Sequence, residues 1–140
     1  MKKLILLVYF ILSITLLSGC RWISDSYNKI RDYSNEFLTY IVNEDYESAK
    51  KILHVDCTPN PALLEYNIDI FEQAYGVDFS NGYTLSKLFD FEIIGYSSEY
   101  NGSYYEGEFD ITIDGKEFEF TIVILENKVD SGIYRYEFEV

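Results

Sequence analysis

The order of apolar and polar positions divides this chain into three regimes. Residues 4–17 form an almost unbroken apolar run, interrupted by Ser13 and Thr15 and preceded by Lys2 and Lys3. From about residue 24 to residue 76, apolar residues recur every three or four positions, the period of helices with one buried side. From about Leu88 to the end they alternate with polar ones, the period of strands.

In the middle regime, Ser24, Asp25 and Ser26 offer N-caps for a first helix. Its buried side would be Ile30, Ser34, Phe37, Leu38 and Ile41, with Tyr33 beside them. Asn43-Glu44-Asp45 ends it and starts a second helix, apolar along Tyr46, Ala49, Ile52 and Leu53. Lys50 and Lys51 fall towards its C-terminal end, where the macrodipole favours cations. Asn60-Pro61 opens a third, with Asn as cap and Pro at the first helical position. Leu64, Ile68, Phe71 and Tyr75 then share one side, and Gly76 stands where a helix closes. Residues 77–84 read as a loop.

The alternating regime predicts four strands, near 88–98, 103–113, 117–126 and 131–140, joined as an antiparallel meander. Asn101-Gly102 and Asp114-Gly115 are strong hairpin signals. A two-residue turn at Asp114-Gly115 sets Ile111 opposite Phe118, Phe109 opposite Phe120 and Gly107 opposite Ile122. Opposed residues share a face, and here they are apolar partners. In the last hairpin, Phe120 meets Phe138 and Ile122 meets Tyr136 only with an odd-length loop, for which Gly132 offers a bulge position. Gly95, where the alternation of Phe89, Phe91 and Ile93 breaks, is a second bulge candidate. The expected fold is α+β: three N-terminal helices packed on one face of a curved four-stranded meander sheet.

Composition changes the picture in two ways. Eleven basic against 24 acidic residues give a net charge of −13, which repels nucleic acid and anionic head groups and excludes DNA and RNA as partners. Fourteen tyrosines and ten phenylalanines supply enough apolar area for a packed domain despite that charge.

The apolar start ends in Leu17-Ser18-Gly19-Cys20. A cationic start, a short apolar core and small residues before a cut make a secretory signal peptide, too short for a comfortable membrane span. With cysteine directly after Gly19, the segment resembles the bacterial lipoprotein signal. That resemblance implies residues 1–19 as signal peptide, diacylglycerol and palmitate on Cys20, residues 20–24 as a tether and 25–140 as a single domain. Two or more acyl chains give stable attachment, whereas one is marginal. Arg21, in place of the aspartate that retains lipoproteins in the inner membrane, implies the outer membrane facing the periplasm in a Gram-negative host. An acylated Cys20 leaves Cys57 no disulfide partner.

The helices-then-strands order, with Phe37-Leu38-Thr39-Tyr40 through Asp45-Tyr46-Glu47-Ser48-Ala49, is similar to small exported domains of cystatin-like or NTF2-like type. Such domains wrap a bent sheet around a conical pocket. The lack of an expected strand between the helices departs from the NTF2 pattern and favours a cystatin-like or novel arrangement.

Candidate chemistry is sparse. His54, Asp56 and Cys57 could pair a nucleophile with a base or bind a metal, but three groups within four residues surround a substrate poorly. The plainer reading is a helix C-terminus with a buried cysteine and a surface histidine. Tyr33, Tyr75, Tyr105, Tyr134 and Tyr136 could line an enzyme pocket, yet no apolar-facing aspartate accompanies them. No cofactor or tight metal site is expected.

The outer sheet face is richer. The registers set Asp110 opposite Glu119 and Glu119 opposite Glu139, with Glu108 and Glu137 flanking Thr121 and Glu117 one step away. Opposed like charges destabilise a sheet. The face is either simply solvated or a recognition surface for a basic protein, with a weak divalent-cation site ranked below. Val123 and Leu125 point the same way and, unless the domain covers them itself, form a small exposed apolar patch beside the acids, the anatomy of a protein contact. The expectation is a non-enzymatic, membrane-anchored binding module of the cell envelope. The alternatives are an immunity or inhibitor protein against a toxin or hydrolase, and a small NTF2-like pocket enzyme.

Overall fold

A computed structural model describes residues 2–86 and 88–140, with backbone alone for residues 2–20. The side chains of the signal segment, Cys20 among them, therefore lie outside the described residues. Helix α1 runs without a break over Lys2–Val42. The expected start at Ser24–Ser26 is not a start, because no residue between Cys20 and Val42 is a glycine or proline that would end a helix. The expected tether is helical too. No helix among the described residues is long and apolar enough to cross a membrane.

The predicted buried side of α1 holds: Ile30, Ser34, Phe37 and Leu38 have no exposed surface, and Ile41 is almost as deep. Glu44, at φ 55°, turns the chain. Asp45 then caps α2 (Tyr46–Lys51), its Oδ1 accepting from the Ser48 N–H at 3.1 Å. Strand β1 (Leu53–Thr58) follows at once. It is the strand between helices that the sequence reading had missing, and that ground for preferring a cystatin-like arrangement falls. Asn60 caps a 3₁₀ turn, Pro61–Leu63, by accepting from the Ala62 N–H, and this leads into α3 (Leu64–Tyr75). Gly76 closes α3 in the left-handed conformation, φ 61°.

The sheet has six strands rather than four. Besides β1 there is β2 (Tyr83–Leu85), lying partly in the expected loop, then β3 (Asp90–Ser97), β4 (Gly102–Ile113), β5 (Lys116–Asn127) and β6 (Ser131–Glu139). The order is β1-β6-β5-β4-β2, with β1 parallel to β6 and the other pairs antiparallel. Strand β5 occupies one edge of β4. On the other edge, β2 pairs with Ile111–Ile113 and β3 with Gly102–Glu108, end to end.

The meander registers are those read from the turns: Phe109 opposite Phe120, Ile111 opposite Phe118, Phe120 opposite Phe138 and Ile122 opposite Tyr136. The turn at Asp114-Gly115 has positive φ at both residues, the two-residue hairpin form that matches strand twist. The register shift in β3 lies between Ile94 and Ser97, at the expected Gly95. That of the last hairpin falls between the Val123–Arg135 and Ile124–Ile133 pairs, so Tyr134 is the extra residue and not Gly132. Gly132 serves another need. A Cβ there would meet the Ile52 carbonyl oxygen at 2.7 Å and the His54 nitrogen at 2.8 Å, so its smallness lets the start of β1 close onto β6.

One core fills the space between the helices and one sheet face. Phe37 stacks on Phe120 and Phe120 on Phe138, at centroid separations of 6.3 and 4.9 Å. Gly107 leaves the room in which Ile30 and Leu88 sit, which a side chain there would take.

Candidate functional site

Because Phe109, Ile111, Phe118, Phe120, Ile122 and Ile124 all belong to that core, the residues between them project from the opposite face of the sheet. Ladder pairing arranges them in rows. Asp110, Glu119 and Glu139 form one row across β4, β5 and β6. The next runs Asp90, Glu108, Thr121, Glu137, and the third Glu92, Glu106, Val123, Arg135. Glu117 lies opposite Thr112 beyond the first row. Among these residues Arg135 is the cation, and it is already engaged, 3.5 Å from Glu106 and 3.8 Å from Glu137.

The acids do not share one environment. Asp110, Glu117, Glu137 and Glu139 are exposed, whereas Glu106, Glu108 and Glu119 are half-buried. Burial, then the charges of Glu119, Asp90, Glu106 and Glu139, push the Glu108 carboxyl above the usual glutamate range. Towards the β3 edge, Asp90, Phe91, Glu92, Glu106 and Glu108 line a shallow cleft of about 130 Å³. Among the described residues no group of three or more His, Cys, Asp or Glu is placed to hold a metal ion. The wide spacing of oxygens across a ladder accounts for that.

The apolar patch expected at Val123 and Leu125 does not exist. Their exposures are 1% and 2%, because the domain covers them itself. Tyr104 lies opposite Leu125, and Glu106 and Arg135 lie on either side of Val123. Tyr100, from the β3–β4 turn, stacks on Tyr104 at 5.4 Å and meets Tyr134 edge-on at 5.5 Å. The Tyr104 hydroxyl donates a short bond to Glu106. Val123 and Leu125 are therefore not open to a partner.

His54, Asp56 and Cys57 lie on β1, not at a helix end. His54 is fully buried, contrary to the surface position expected. Its Nδ1 accepts from the Asp56 N–H at 3.0 Å, Nε2 lies 3.4 Å from Asn127 Oδ1, and the ring meets Tyr134 edge-on. Cys57 instead joins the helix-side core, where burial pushes its thiol up to about 12. The two therefore serve opposite sides of the sheet and do not form a nucleophile–base pair.

The five tyrosines disperse likewise. Tyr105 and Tyr136 are core, Tyr75 is exposed against Phe71 and Phe118, and Tyr134 lies on the outer side. Tyr33 borders a depression on the outer side of α1 with Asp25, Asn28, Lys29, Asp32 and Glu36. Lys29 Nζ reaches inward, 2.7 Å from Glu126 and 4.6 Å over the Tyr105 ring.

What the sequence reading missed lies along β3. Phe89 and Phe91 hold core-facing phase, yet they are 52% and 42% exposed, since β3 is an edge strand that pairs, among the described strands, with β4 alone. Phe91 meets Tyr27 of α1 edge-on at 6.1 Å. The phase break at Gly95 was the legible hint of the irregular pairing between Ile94 and Ser97.

No protein-family model matches the chain, and no curated protein matches it. Among solved structures it is similar to an NTF2-like protein of unknown function from Cytophaga hutchinsonii ATCC 33406. The two are 17% identical, the match covers 79% of this chain and 89% of that one, and the TM-score is 0.42.

Proposed function

We propose that this chain is a non-enzymatic, membrane-anchored lipoprotein of the bacterial cell envelope, held by lipid on Cys20, whose acidic sheet face receives a basic protein partner. The observation that carries the docking half is the direct opposition of Asp110, Glu119 and Glu139 across three strands, with no salt bridge to any of them among the described residues. Opposed like charges cost stability, and a cationic side chain brought by a partner relieves that cost where water alone relieves it less. The anchoring half rests on Leu17-Ser18-Gly19-Cys20. An inhibitor role is the form this reading takes if the basic partner is a toxin or hydrolase.

The test is membrane fractionation of wild type and Cys20→Ser, followed by capture from envelope extract on wild type and on a variant with Asp110→Asn, Glu119→Gln and Glu139→Gln. The expected result is membrane-bound wild type, unprocessed or soluble Cys20→Ser, and a captured protein lost in the neutralised variant. Equal capture by both would remove the acidic face from the function.

A further inference from the structure

We infer that the open edge of β3 accepts an extended segment of the basic partner as an added strand, with cationic and apolar residues alternating along it. This rests on the reading that the acidic face binds a basic protein, and it specifies how. Strand β3 pairs with β4 along Asp90–Ser97 and with no other described strand. Its second edge therefore offers a ladder for main-chain hydrogen bonds, the basis of recognition by strand addition.

The side chains on either face of that edge specify what fits. On the outer side Asp90 and Glu92 extend the acidic rows and, with Glu106 and Glu108, line the cleft. On the helix side Phe89 and Phe91 leave large ring areas open. An added strand continues the alternation, because residues opposed in a ladder share a face. Its residues opposite Asp90 and Glu92 are satisfied by Lys or Arg, and those opposite Phe89 and Phe91 by apolar side chains. The raised carboxyl of Glu108 agrees with a site that gains from an incoming cation.

A second copy of this chain is a poor occupant. Its own β3 would set Asp and Glu against Asp90 and Glu92, and each copy carries a net charge of −13. Acidic residues also guard edge strands against aggregation. That role alone calls for no cationic ligand, and the experiment separates the two.

The probes are a synthetic octapeptide alternating Lys and Val and a peptide of the same composition with the four Lys preceding the four Val. Each is titrated into the full chain, and amide hydrogen exchange is followed residue by residue. The expected result is binding of the alternating peptide about tenfold tighter than the block peptide, with slowed exchange confined to β3. That preference should disappear in Glu92→Lys and shrink in Phe89→Ser, both at exposed positions. Equal binding of the two peptides, weakened by neutralising Asp110, Glu119 and Glu139 but not by Glu92→Lys, would overturn strand addition and leave the acidic-face reading standing. Binding of neither peptide would overturn both. Concentration-dependent self-association abolished by Glu92→Lys would make the edge a self-pairing strand and overturn the proposal.

Discussion

The two faces of one sheet follow different rules, and β5 belongs to both. Towards the helices, Phe118, Phe120, Ile122 and Ile124 meet apolar partners on every side and are closed off by α1 and α3. On the other face, the same strand presents Glu117 and Glu119 at one end and the buried Val123 and Leu125 at the other. The inner face is held by contacts that the chain completes for itself. Among the described residues, Tyr100, Tyr104, Tyr134 and Arg135 complete part of the outer face, and at Asp110, Glu119 and Glu139 like charges stand opposed. The proposed docking rests on this contrast: carboxylates opposed across a ladder repel one another, as at Asp110, Glu119 and Glu139.

The largest expected effect breaks the inner face. Phe120 is fully buried and packs against Phe37, Phe109 and Phe138. Phe120→Ala should cost about 3–5 kcal/mol in chemical denaturation, the usual range for a buried phenylalanine. A smaller loss follows from Leu125→Ala, about 2 kcal/mol or somewhat more given its burial on a thinner layer. A loss below roughly 0.5 kcal/mol would restore Leu125 to the open patch that its alternation suggests.

Smaller still is the effect of pH. Burial first, then neighbouring carboxylates, raise Glu108; burial also raises Glu72, partly offset by the Phe79 N–H it accepts. A carboxyl raised by folding contributes stability that is fully present below its unfolded pKa and lost as pH rises through its folded value. Asp45 and Asp78 behave oppositely. Their bonds to Ser48 and Ser80 hold them low, so their contribution is lost as pH falls through their depressed values. Melting temperature should therefore rise on acidification from neutral into the glutamate range and fall below the aspartate range. Glu108→Gln should flatten the first limb; an unchanged limb would show that folding does not raise the Glu108 carboxyl.

The same contrast accounts for what the sequence made legible. Meander registers were readable because a short turn and an apolar alternation constrain each other, as at Asp114-Gly115 with Phe109 and Phe120. Strand β1 was not, because its partner β6 is parallel and remote, so no turn announces the pair, and Leu53-His54-Val55-Asp56 continues a helical pattern. The break expected at Ser24–Ser26 failed because capping residues do not stop a helix that nothing interrupts. The cover over Val123 and Leu125 depends on Tyr100, a turn residue whose target lies across the sheet. The acidic rows, by contrast, followed from register alone, and Asp110, Glu119 and Glu139 stand where the alternation set them.

The most direct test of the central claim sets the two regions against each other by charge. Association rates of the alternating Lys–Val octapeptide are measured against salt for three proteins: wild type, the Asp110→Asn, Glu119→Gln, Glu139→Gln variant, and a variant neutralised equally on α1 at Asp25, Asp32 and Glu36. Charges at a binding rim act mainly on encounter rate. Wild type and the α1 variant should show a steep salt dependence, with a slower, flatter response when the sheet face is neutralised. Equal slopes for both variants would contradict it, leaving net charge alone as the attraction and the sheet face as a solvated surface.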